Sequence, residues 1–201
     1  MASETEIANL ALSHLGIGKE IAILETEKSE EAAACRRFYT ICRDASLRDF
    51  PWPFCTRIAA LGLVETDPSS EWAFSYRYPS NAWKLRRILS GTRNDDRQTR
   101  VPYKVYSDDD GKLIYTDMED AELEFTVKET NPERFDPDFI MFLSLRLAAM
   151  IAPRLSRGDP FKMGQRAVQL YEFEASKARA TAVNEQQDEE NPESQFISGR
   201  E

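Results

Sequence analysis

The chain has 201 residues and a mass of 23.0 kDa, with 41% hydrophobic residues, 30% charged residues and a net charge of −9. A compact monomer of this size exposes roughly 9,600 Å² against roughly 33,000 Å² unfolded, which allows one core or two small ones. The composition is too apolar for a wholly disordered chain, and no apolar run is long enough to read as a membrane helix.

Residues 3–15 read as an amphipathic helix. Ser3 and Glu6 form a capping box, Ile7, Leu10, Ala11 and Leu15 follow helical spacing, and Gly16 is the stop. The short apolar stretch Ile21–Leu24 then packs across a neighbouring helix. Ser29 caps a longer helix, with Glu30 and Glu31 in the first turn where the dipole favours acids. Ala32, Cys35, Phe38/Tyr39, Cys42 and Ala45 mark its apolar face, and Phe50-Pro51-Trp52-Pro53 ends it.

From about residue 54 to 129 the period changes. Phe54–Val64 alternates like a strand broken at Gly62. Trp72, Phe74, Tyr76 and Tyr78 give the clearest period-two signal. Trp83–Ile88, Val101–Ser107, Lys112–Thr116 and Leu123–Lys128 are further candidate strands. Asp108-Asp109-Asp110-Gly111 joins two of them as a hairpin turn. This third predicts one antiparallel sheet module of four to six strands.

Helix returns at Asp136-Pro137-Asp138, with Phe139, Phe142/Leu143, Leu147, Met150 and Ile151 on a broad face up to Pro153. Arg157-Gly158-Asp159-Pro160 restarts a last helix through Met163, Ala167 and Leu170/Tyr171 to about Ala182. Residues 184–201 hold six acids and one arginine, with Phe196 and Ile197 as the only large apolar residues. Two such side chains return far less than ordering 18 residues costs, which predicts a disordered tail that orders only on a partner. The expected fold class is α+β. N- and C-terminal helices (1–50 and 131–183) form a bundle, a β-rich module (51–130) is inserted between them, and an acidic tail (184–201) extends beyond.

Chemistry is sparse. The start, MASETEIANLALSHLG, has neither a basic beginning nor a continuous apolar stretch and does not read as a secretory signal. Three cysteines are an odd number, so they read as buried thiols in a reducing compartment. His14, the single histidine, reads as a packed structural residue, with no nucleophile placed near it by sequence. DDDGKLIYTDMED lacks the order of a calcium loop, and a hairpin turn explains it without metal. No glycine-rich phosphate loop exists. No catalytic, metal or cofactor site is therefore expected, and the enzyme class is the weaker one.

One charge feature stands out. Residues 84–104 carry seven bases (Lys84, Arg86, Arg87, Arg93, Arg97, Arg100 and Lys104) against Asp95 and Asp96, net +5 in an acidic chain. This segment reads either as a solvated face or as a basic patch that meets an acidic partner or passing DNA.

The ordered features resemble a family. IANLALSHLGIGKEIAIL, the acidic-capped helix Glu30–Leu47, the PWPF segment Pro51–Phe54, YRYPSNAWKLRRIL (Tyr76–Leu89) and FIMFLSLRLAAMIAPRL together are similar to the tail tubular protein A, or head-to-tail adaptor, family of short-tailed bacteriophages. The set spans most of residues 5–175. The resemblance implies a virion structural protein without a catalytic site, assembled in the bacterial cytoplasm. It implies a ring, generally of twelve copies, that joins the portal protein to the tail nozzle protein. Genome DNA passes through such a ring without specific binding, and no membrane is involved. C-terminal segments of the family commonly grip the portal, so Gln195, Phe196 and Ile197 are expected portal anchors. Arg86, Arg87 and Arg93 are expected contacts to a neighbouring subunit or the portal. Three other readings stay open: a stopper or head-completion protein of a long-tailed phage, a nucleic-acid-binding module on residues 84–104, and a metal-dependent hydrolase on the acids of 108–120.

Overall fold

The computed structural model describes residues 2–92, 100–155 and 160–184. Among these residues, four α-helices and two antiparallel sheets make a mixed α+β fold. Helix α1 spans Glu4–His14 and α2 spans Glu30–Asp49. Seven strands follow: β1 Thr56–Ala60, β2 Leu63–Ser69, β3 Trp72–Arg77, β4 Ala82–Ile88, β5 Tyr103–Asp108, β6 Gly111–Thr116 and β7 Glu122–Val127. Helices α3 (Pro137–Leu155) and α4 (Pro160–Asn184) come last among the described residues.

The caps form as their residue types dictate. Ser3 Oγ accepts from the Glu6 amide, and the Glu6 carboxylate accepts from the Ser3 amide, 3.1 and 2.8 Å apart. Gly16 then takes φ +71°, the left-handed conformation that ends α1. Asn9 holds the following loop: its side-chain amide donates to the Ile21 carbonyl and its oxygen accepts from the Ile21 amide. Ile21 and Leu24 are thereby buried in the helical core, while Ile23 between them is exposed. Ser29 caps α2 through the Ala32 amide.

Helix α3 is the hub of the bundle and packs against α1, α2 and α4. Its buried residues, among them Phe139, Leu143, Leu145, Leu147 and Ala152, lie all round it, as an apolar helix enclosed by neighbours requires. The PWPF segment closes one end of this core. Trp52 is buried, meets Phe139 edge-on at 5.1 Å and donates its indole N–H to the Ser46 carbonyl.

The sequence predicts one sheet of four to six strands; the structure has seven strands in two sheets, ordered β1-β7-β4 and β2-β3-β6-β5. The extra strand arises between 54 and 69. Phe54 lies in a short turn at Pro53–Cys55, the Leu61 amide bonds the Ala121 carbonyl, and the Gly62 carbonyl accepts from the Arg77 amide. The chain therefore changes sheets at Leu61-Gly62, where a break in one strand is expected. Every residue of β2 except Pro68 is exposed, so no alternation announces it. Tyr76, Ile88, Ile114, Leu123 and Phe125 fill a second core shared by the two sheets. Trp83 and Val127 pack the three-stranded sheet onto the helical core.

Several helical details also differ; Leu10 and Met150, expected on the apolar faces of α1 and α3, are 37% and 45% exposed. Helix α3 continues two residues past Pro153, an exposed position in its last turn where a missing amide costs one terminal bond. Leu170, expected on the apolar face of α4, is exposed; Ala167 and Ala175 are buried and Tyr171 half-buried on the face toward α3. Tyr171 stacks on Phe142 at 4.6 Å, and its hydroxyl lies 3.1 Å from Asp49, which also pairs with Arg146.

Candidate interaction surface

The residues of the basic segment part company in three dimensions. Arg86 turns inward from β4. Its guanidinium donates to Thr126 Oγ1 at 2.8 Å and to the Leu47 and Phe50 carbonyls at 3.1 and 2.7 Å. Those two carbonyls belong to the last turn and the cap of α2, which carry partial negative charge and lack intrahelical partners. Burial lowers the Arg86 pKa, and the nearby Glu124 and Asp49 act against that shift. Arg86 is therefore a clamp between the β module and the helical bundle.

The neighbours of Arg86 reinforce the clamp. Lys84 Nζ donates to the Arg48 carbonyl at 2.8 Å, and the Trp83 indole donates to the Asp44 carbonyl at 3.0 Å. Arg87, next to Arg86 at a register shift in β4, pairs with Glu124 at 2.7 Å while staying partly exposed. Lys104 reaches Glu71 at 3.7 Å and lies over the Trp72 ring. Arg93, Arg97, Asp95 and Asp96 lie outside the described residues, as do Gln195, Phe196 and Ile197 of the tail.

A different cationic surface emerges beside the clamp. On α2, Arg37, Ile41 and Arg48 share one outward stripe, set away from the buried stripe Cys35, Tyr39, Cys42 and Ser46. Ile41 is 60% exposed. The stripe runs into Trp83, whose ring lies 5.8 Å from the Arg48 guanidinium and 4.4 Å from Lys128 Nζ. Asp44 is the one acid within it, and Arg43 and Lys128 pair with that carboxylate at 2.9 and 2.8 Å. Sequence reasoning missed this surface because it follows the helical face toward the buried side. The signal that finds it is Ile41, an apolar residue off that face and flanked by arginines.

The remaining singled-out groups are internal or apart. His14 Nε2 lies 3.1 Å from Ser144 Oγ, between α1 and α3, and burial lowers its pKa. Cys35, Cys42 and Cys55 are free, buried thiols; desolvation pushes them up to about 12, about 11 and about 12. Asp108 accepts from Arg77 at 2.9 Å and from the Asp110 amide, and Gly111 takes φ +131° in the hairpin turn. Among the described residues no His, Cys, Asp and Glu side chains gather into a metal-binding group, and no helix is long and apolar enough to cross a membrane.

Neither protein-family models nor curated proteins give a match to this chain.

Proposed function

We propose that the chain is a structural head-to-tail adaptor of a short-tailed bacteriophage, forming a ring between the portal protein and the tail nozzle. The observation that carries the reading is the clamp at the C-terminus of α2. Trp83, Lys84 and Arg86, from the YRYPSNAWKLRRIL segment, bond the backbone of residues 44–50 next to PWPF. Two of the stretches that resemble the adaptor family thus meet in space and lock the sheet module to the bundle. A subunit that transmits load between two assemblies needs such a rigid joint.

Charge supports the same reading. A chain of net −9 suits a conduit through which DNA slides without sticking. A nucleic-acid module on residues 84–104 would lack Arg86, whose guanidinium is held inside the subunit. In this reading Gln195, Phe196 and Ile197 anchor the tail on the portal, and many weak tails act together. Deleting residues 185–201 should leave the thermal midpoint of the chain unchanged and reduce its capture on immobilised portal rings by about tenfold or more, the scale of lost multivalency. Undiminished capture by the truncated chain would contradict the anchor role.

A further inference from the structure

The outward face of α2 and the outer edge of β2 carry opposite charge, and both leave apolar side chains uncovered. On the first, Arg37 and Arg48 flank the exposed Ile41, and Lys128 extends the positive charge across Trp83. On the second, Leu63 is 55% and Val64 45% exposed. Glu65, Asp67 and, in the turn beyond the strand, Glu71 follow them; no basic residue stands between positions 63 and 71, and Lys104 lies 3.7 Å from Glu71. β2 is the outer strand of the four-stranded sheet, with β3 as its one neighbour among the described residues. An exposed apolar edge of this kind pairs with another chain unless something covers it. Register shifts at Leu63/Glu65 and at Thr66/Ser69, the second with Asp67 at φ +51°, break the regular ladder of the strand, so Leu63–Thr66 would dock through side chains.

We propose that the cationic α2 face of one subunit receives the β2 edge of a second copy of this chain. The positive face takes Glu65 and Glu71, and Ile41 and Trp83 cover Leu63 and Val64. A helix lying across a strand edge is one of the ways proteins protect such edges. Both halves of the contact are present on every copy and they are different surfaces. The contact is therefore heterologous: it propagates head to tail and makes a ring when the rotation closes. Closure into a ring rests on the adaptor reading; the pairwise contact does not.

The test is sedimentation of the full chain at about 1 mM, where contacts with a Kd near 1 mM are populated. In about 0.01 M salt, with a Debye length near 30 Å, the mass should rise at least about twofold above the monomer. It should return to the monomer in about 1 M salt, where that length is about 3 Å. Arg37→Glu with Arg48→Glu should stay monomeric, and so should Glu65→Lys with Glu71→Lys. An equimolar mixture of the two double variants should associate again, because the native faces pair and the two reversed faces carry opposite charge as well. Ile41→Ser tests the same face without a charge change and should also weaken association.

A wild-type chain that stays monomeric under these conditions overturns the contact, as do double variants that assemble like the wild type. A mixture that stays monomeric overturns its head-to-tail character. Rings that still form on the portal with either double variant would sink this contact and leave the adaptor reading standing. Association through these faces without portal capture would do the reverse.

Discussion

His14 shows what a single titratable side chain does when a helix interface encloses it. Its ring is half-buried between α1 and α3 with Ser144 as partner, and desolvation lowers its pKa. A lowered folded-state value means that the unfolded chain binds the proton more readily. The neutral ring's contribution is fully present above the unfolded value of about 6.5 and is lost as pH falls through the folded value. Urea midpoints measured from pH 8 downward should therefore fall below about pH 6.5 more steeply for the wild type than for His14→Gln. Parallel curves for the two proteins would contradict a desolvated histidine. The packed position of this residue was legible in the sequence because helical spacing places it at the edge of the apolar face of α1. Its partner was not, since Ser144 lies 130 positions away.

At the scale of elements, the helices were the most legible part. Ser3, Glu6, Ser29 and Pro137 act within a few residues of the termini they define, so local chemistry is enough to place them. Arg86 and Arg87 were not separable in the same way. They are adjacent in β4 at a register shift that breaks the strand's alternation, with partners Thr126 and Glu124 two apart in β7, and which guanidinium is covered depends on α2 and β7, some 36 to 40 residues distant. The structure gives them different energetic roles. Arg86→Met removes three hydrogen bonds from a charged donor to partly buried acceptors and should cost about 2–4 kcal/mol in chemical denaturation. Arg87→Met breaks a partly exposed ion pair with Glu124 and should cost less than Arg86→Met. Equal costs for the two would mean that Arg86 is not the clamp. Strand β2 was illegible as a separate element for the opposite reason: almost nothing of it is buried, so the alternation that reveals strands is absent.

For the whole molecule, the order of helices, sheet and helices was readable from changes of period along the chain. The division of the sheet in two was not. It is made by a crossing at Leu61-Gly62 whose partners, Ala121 and Arg77, come from later strands. The same non-local pairing creates the exposed β2 edge, and the packing of Trp83 onto α2 creates the cationic face. The surfaces proposed for assembly are thus products of the tertiary fold and not of any contiguous motif. The central claim, that this chain is an adaptor built to assemble on a portal, is tested most directly by its light-scattering mass at micromolar concentration, alone and mixed with the cognate portal. The account predicts a monomer alone and a large stoichiometric ring on the portal. A chain that ignores the portal, yet shifts DNA at low salt or gains thermal stability from a divalent metal, would contradict it.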